Sequence, residues 1–429
     1  MKAGVASRVI TPPRGVFLVG YGDRNFGNRG VHDDVVATAL VLDDGAERVA
    51  LVTADLLTIC EVTVDRIVER LAPLEVVICC SHTHSGPISF ADHRSRHRDR
   101  TYVATLVEQI IGAVRDAEQH LGTARLEWSV GTCDLGINRR EVTPTGVEIG
   151  RNPEGPCDDS VGVLGVVGDD DRRLATVVGY ACHGTVLGPR NRLVSSDWIG
   201  PMRRRVEAAL GGTVLFCQGA GANVNPQVSW DVAEPYAQVR DTGERVGDAV
   251  LAAVAADACP LDATPISVER RDVWIPLQAD ANTPDPPRNY IEPLLSMAGL
   301  PKLAAQLGEP LLRRRYPWRP TIEARDGRWA VPMRHSVVRI GDVALVAYGA
   351  ETFTEIGMAA KASSPAAATL FASVTDGSIS YLATEAAHAE GGYEVEVAPW
   401  AYRYPGLLDP RGETLALDAT RAAFRRLWG

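Results

Sequence analysis

The first 260 residues of this 429-residue chain alternate short β-branched runs with stretches whose apolar positions recur at helical spacing. No other feature narrows the fold class as far. Residues 38–42, 48–53, 76–80, 174–181 and 213–217 read as strands, several of them apolar along their length, as in strands covered on both faces. Between them, 62–71, 102–121 and 201–210 read as helices. That alternation specifies an α/β protein with mixed β-sheets flanked by helices. At 277–332 the texture changes to Pro, Arg and aromatic residues (ANTPDPPRNY, LRRRYPWRP), which reads as an irregular insertion or lid. Strand signals return at 336–340, 343–348 and 369–374, and a helix-like 413–427 closes the chain. With no repeat or linker, one large domain spanning 1–429 is expected.

Composition removes several function classes. Apolar residues at 45% and charged residues at 23% support a packed core and exclude a disordered chain. No run approaches the roughly 20 apolar residues of a membrane span. The first ten residues lack the apolar segment of a secretory signal, so a cytoplasmic location is expected. A formal charge of −10 disfavours nucleic acid and anionic membrane surfaces as partners. The eight cysteines form no CxxC pair, and several lie in apolar runs where a reduced thiol packs.

The sharpest local signal is EVVICCSHTHSGP at 75–87. An apolar strand that breaks into polar sequence carries His82 and His84 just past its carboxyl end, two apart and therefore able to leave one face. The pair suits metal ligation, or one ligand beside an acid/base partner; a polar loop with backbone-bonded histidines is the plainer reading. The architecture recurs. Strand 174–181 leads to His183, with Ser195, Ser196 and Asp197 following; strand 343–348 leads to Glu351; strand 369–374 leads to Asp376 and Tyr381. Ligands in α/β sheets bind beyond strand carboxyl ends, so four such ends can converge on one site.

Rival motifs fail. His93 and His97 flank Arg94 where a helical HExxH site needs glutamate. Gly86 and Pro87 replace the Asp and His of an HxHxDH centre. The Gln218–Gly219–Ala220–Gly221 turn lacks the lysine or full GxGxxG of a phosphate cradle. No GxSxG elbow is present. Tyr290, Tyr316, Trp318 and Trp329 read as packing residues.

Taken in order, ITPPRGVFLVGYG (10–22), VHDDVVATALVLDDG, RVALVTADLL, SHTHSGP, GINRR (136–140), CHGTVLGPRNRLVSSDWIG (182–200), CQGAGANVNP (217–226), YGAETFTEIG (348–357) and DGSISYLATEAAHAEGGYE (376–394) resemble the catalytic N-terminal domain of the neutral (non-lysosomal) ceramidase family. The resemblance implies a zinc amidase that cleaves the N-acyl bond of ceramide. It implies His82, His183, Glu351 and Tyr381 as Zn2+ ligands and His84 as the acid/base histidine. It also implies Arg139 and Tyr393 as the groups that hold the substrate carbonyl or its oxyanion; Tyr381 and Tyr393 stand twelve apart, as the family motif requires. Zinc lowers the pKa of bound water to about 7, and a neighbouring histidine can protonate the departing amine.

Family members are usually secreted and carry a C-terminal immunoglobulin-like module, which this chain is expected to lack. Ser378 and His388 stand where tyrosine is common. The expectation is therefore a zinc-dependent hydrolase of a linear N-acyl amide, with a ceramide-like lipid or a smaller cytoplasmic amide as substrate partner. The alternatives are the same site acting on an ester or lactam, amide formation, a non-catalytic binding homologue, and a TIM-barrel amidohydrolase whose later ligands fit poorly here.

Overall fold

A computed structural model describes the chain except residues 23, 25, 92–94, 231, 257, 283–320 and 403, and the side chains of 400 and 401. Side chains alternate between the two faces of a strand, and here each face meets a different layer. In the strand Glu75–Cys80, Val76, Ile78 and Cys80 pack with the helices Glu61–Leu71 and His97–Gln119. Val77 and Cys79 point the other way, into a core shared with a second sheet. In Thr213–Gln218, Val214 and Phe216 meet the helices Ile199–Leu210 and Pro235–Ala256, while Leu215 and Cys217 join that same core. From the second sheet, Leu345 and Ala347 of Val343–Tyr348 enter the shared core. Ala344, Val346 and Tyr348 pack under the helices Thr354–Ala362 and Gly412–Trp428. The layers are thus helices, sheet, sheet, helices, which is why the strands read as apolar throughout.

The larger sheet runs Thr213–Gln218, Arg173–Tyr180, Ser160–Gly168, Gly122–Thr132, Lys2–Val9, Val36–Asp43, Arg48–Ala54, Glu75–Cys80, with Cys259–Leu261 added to Gly122–Thr132. The smaller runs Ile266–Asp280, Arg328–Ile340, Val343–Tyr348, Ala368–Ala372, with Glu323–Arg325 on Arg328–Ile340. Three neighbouring pairs are parallel, and each is joined through a helix: Arg48–Ala54 with Glu75–Cys80, Arg173–Tyr180 with Thr213–Gln218, and Val343–Tyr348 with Ala368–Ala372. The loop after Ala368–Ala372 stitches the sheets together. Ser373 N–H donates to Gln218 O at 2.7 Å, and Ile78 N–H donates to the Asp376 carboxylate at 2.8 Å.

The strands and helices expected from periodicity are present with shifted ends. The strand expected to reach residue 374 stops at Ala372, because Val374 turns at φ 47° to meet the first sheet. The polar strands Lys2–Val9 and Gly122–Thr132, the glycine-interrupted Ser160–Gly168 and the helix Pro235–Ala256 carried no comparable signal. Of the 277–332 segment, 283–320 lies outside the described residues, as do Tyr290, Tyr316 and Trp318; Trp329 packs against the smaller sheet's core. None of the described helices is long and apolar enough to cross a membrane.

The shared core makes a direct prediction. Leu345 is buried between the two sheets, so Leu345→Ala should cost about 2–5 kcal/mol in urea unfolding with an unchanged m-value. A cost below about 1 kcal/mol would mean the two sheets do not pack on one another.

Candidate metal centre

The loops that follow the parallel strands are tied to each other by backbone contacts. Past Cys80 the chain turns at His82, whose φ of 59° is uncommon for a residue with a side chain. Thr83 then bridges Gly184, and His84 N–H donates to Gly184 O at 3.1 Å, locking the two histidine loops together. On the other side, Glu351–Thr352 pairs in parallel with Tyr381–Leu382, and Glu351 faces Tyr381 in the register. Val374, Asp376 and Ser380 also adopt positive φ. Strain of this kind collects where side chains must be aimed.

The aim is convergent. His82 Nε2 lies 3.2 Å from His183 Nε2 and 3.4 Å from His84 Nε2. Glu351 Oε2 lies 3.3 Å from His82 Nε2 and 3.7 Å from His183 Nε2. All four side chains are buried. The opposite edges of two rings fix the chemistry. His82 Nδ1 is 2.8 Å from Leu57 O, and His183 Nδ1 is 2.7 Å from Gly221 O and 3.1 Å from Val224 O. A carbonyl only accepts, so each Nδ1 carries a proton and Nε2 is the ring atom left to offer a lone pair. Two Nε2 atoms and a carboxylate oxygen with no hydrogen-bond partner among the described residues therefore face one another. Such a cluster is complementary to a cation, and backbone-bonded Nδ1 is the usual support of a metal-binding imidazole. The three histidines offer nitrogens all within 4.8 Å, a spacing that can hold one ion.

His84 differs from the other two. Its Nδ1 is buried with no hydrogen-bond partner among the described residues. Tyr21 lies against the ring with centroids 5.0 Å apart, and Gly20, at φ 111°, lets the chain pass where a Cβ would sit 2.8 Å from that Nδ1. Burial, reinforced by His82 and His183, keeps His84 well below the usual imidazole range. Burial and then Arg139 push His183 down to about 4. Burial alone would raise Glu351, but His82 and His183 hold it well below the usual carboxylate range.

Arg139 enters on the strand Gly136–Thr143, its Nη1 3.3 Å from His183 Nε2 and its guanidinium 5.5 Å from the centre of the Tyr381 ring. The Tyr381 and Tyr393 rings meet edge to face at 5.8 Å. Burial and the Glu351 charge raise both phenols, Tyr393 to about 12. The seven residues expected as metal or catalytic groups thus adjoin one another, six of them buried and Tyr393 partly buried. Sequence reading passed over Glu394, which accepts hydrogen bonds from Arg139 Nε and Arg140 Nη1 at 2.8 and 2.9 Å. It also passed over the carbonyls of Leu57, Gly221 and Val224. Adjacent arginines in GINRR were a usable sign that a buried carboxylate was needed; backbone carbonyls leave no sign.

The family model for the N-terminal region of neutral/alkaline non-lysosomal ceramidases matches residues 2–225. The chain belongs to that family. Its similarity to curated neutral ceramidases is 26% identity over 222 residues with the Mycobacterium tuberculosis protein and 28% over 223 residues with that of Drosophila melanogaster. These matches cover 46% of this chain but only 34% and 31% of the relatives, so the ceramidase-family segment here matches about a third of their length. Among solved structures, "Ceramidase complexed with C2" superimposes with TM-score 0.76 at 19% identity over 99% of this chain and 75% of that one. The neutral ceramidase of Pseudomonas aeruginosa gives 0.74, also at 19% identity, over 99% of this chain and 74% of its own. The shared fold extends across the segments that hold Glu351, Tyr381 and Tyr393, which lie beyond the family match.

The depressed His183 predicts an acid-sensitive metal-free protein. Unfolded, the imidazole takes a proton near 6.5; folded, it resists down to about 4. Stability present above pH 6.5 is therefore lost as pH falls toward 4, by about 3 kcal/mol from this group. Urea unfolding of the metal-free protein between pH 7.5 and 4.5 should show the loss, and His183→Ala should shrink it. Equal slopes in both proteins would contradict a neutral, lone-pair-bearing His183.

Proposed function

We propose that this ceramidase-family protein is a zinc-dependent amidase that hydrolyses the N-acyl amide of a ceramide-type lipid. The observation that carries the reading is the opposition of the His82 and His183 Nε2 lone pairs across 3.2 Å, beside the Glu351 carboxylate. Imidazole nitrogens with carboxylate and phenol oxygens form a donor set suited to zinc. His82, His183, Glu351 and Tyr381 would hold it. Bound zinc supplies a Lewis acid that brings water within reach of ionisation near neutral pH.

The remaining chemistry belongs to the chain. His84 has an unanchored Nδ1, unlike the two rings locked to carbonyls, and it is neutral at rest. It can take the proton of the attacking water and pass it to the amide nitrogen as the carbon–nitrogen bond breaks, so that acid and amine leave with the proton accounted for. Arg139 stays charged and stabilises the oxygen that becomes negative in the tetrahedral state. Tyr393, raised to about 12, keeps its proton at neutral pH and can donate a second hydrogen bond. The ceramide-type substrate is supported by the names of the similar proteins.

Metal content separates ligands from the acid/base residue. His82→Ala and Glu351→Ala should lose bound zinc. His84→Ala should keep it while turnover falls about 10²–10⁴-fold. Loss of zinc from His84→Ala would make His84 a ligand. Fatty-acid release from short- and long-chain N-acylsphingosines should be zinc-dependent; release only from small N-acyl amines would reassign the substrate.

A further inference from the structure

Glu394 sits on an unusual piece of backbone. Gly391 and Gly392 turn at φ 77° and 97°, and Tyr393–Val397 then winds as a π turn closed by Ala398 N–H to Tyr393 O. A π turn is wider than an α turn, so consecutive residues diverge less around it. Tyr393 meets Tyr381, and Glu394 turns to the arginines behind it.

The partner strand is irregular in a matching way. Adjacent residues of a strand point to opposite faces, yet Arg139 and Arg140 both reach Glu394. Between Asn138 and Arg140 the pairing with Gly146–Asn152 shifts register, an irregularity of the kind that re-aims side chains. Glu394 Oε1 takes Arg139 Nε, and Oε2 takes Arg140 Nη1. Arg140 Nη2 in turn donates to Gly391 O at 2.8 Å, fastening the glycine turn that starts the π turn. Glu394, Arg139 and Arg140 are 2%, 4% and 6% exposed. With the Nε edge fixed, the rigid guanidinium fork presents its other edge to the site. Nη1 reaches His183 and Asn225, and Nη2 is buried without a hydrogen-bond partner among the described residues.

We propose that Glu394 is the positioning residue for Arg139: it pins one edge of the guanidinium so that the opposite edge, with Nη2, meets the oxygen that becomes negative. The inference rests on the amidase reading above. Glu394 also offsets the charge of two adjacent buried arginines, which unpaired would repel each other.

Glu394→Gln in the zinc-loaded full chain keeps the side chain's shape and removes its charge. The expected result is unchanged zinc content, a kcat about 10- to 100-fold lower and a KM changed less than about threefold. Independently of turnover, the Arg139 Nε–H signal of ¹⁵Nε-arginine-labelled protein should exchange with water at least about tenfold faster. Should that variant not fold, Arg139→Met/Glu394→Gln removes both charges and is expected to fold, hold zinc and match the residual activity of Arg139→Met. Unchanged kcat with an unchanged Arg139 signal overturns the proposal, as does a double variant markedly slower than Arg139→Met. A native protein that cleaves no amide, with an Arg139 signal that still responds to Glu394→Gln, sinks the amidase reading and leaves the pinning of Arg139 standing.

Discussion

Two imidazole Nε2 atoms facing each other 3.2 Å apart in a buried pocket need a proton or another positive charge to share. His82 and His183 are held in that arrangement because their other nitrogens are committed to backbone carbonyls. Neither ring can turn away without parting its buried Nδ1–H from the carbonyl it donates to, at a cost of about 1–3 kcal/mol. Glu351 adds a negative oxygen to the same point, and Arg139 stands at its edge. The surrounding fold serves to keep these groups facing inward.

It does so through parallel strand pairs. Each pair delivers its carboxyl ends to one rim, and the loops beyond are joined by further backbone bonds such as Thr83 to Gly184 and Glu351 to Tyr381. The two sheets share an apolar core, so the proposed ligands from the first sheet (His82, His183) and from the second (Glu351, Tyr381) meet where the layers meet. The Ser373–Asp376 loop crosses from one sheet to the other at that rim, bonding Gln218 on the way and Ile78 at its end. A site spanning two packed layers is rigid at its base, which suits a centre whose geometry must not relax when a charged group arrives or leaves.

Much of this was legible in the chain itself, for physical reasons that differ by element. Strands covered on both faces, such as Glu75–Cys80 and Val343–Tyr348, are apolar without interruption and stand out. Those carrying charged or glycine residues, such as Lys2–Val9 and Ser160–Gly168, owe their state to neighbours in the sheet, which a local pattern does not contain. Among site residues, His82, His183 and Glu351 were visible because each follows a buried strand directly. Tyr381 was visible a few residues past the strand signal at 369–374, whereas Arg139 and Tyr393 were reached through the family resemblance. Glu394 was not reached at all: its proposed role depends on a register shift about 255 residues away in sequence and on a π turn preceded by two glycines, and neither leaves a periodic trace.

The cation-binding character of the histidine cluster underlies the proposed chemistry, the role of His84 and the pinning of Arg139. X-ray absorption at the zinc edge of the metal-loaded protein tests it most directly. The account predicts a first shell of nitrogen and oxygen at about 2.0–2.2 Å containing two imidazoles and no sulfur. A sulfur contribution near 2.3 Å, or an unchanged spectrum after His183→Ala, would contradict it.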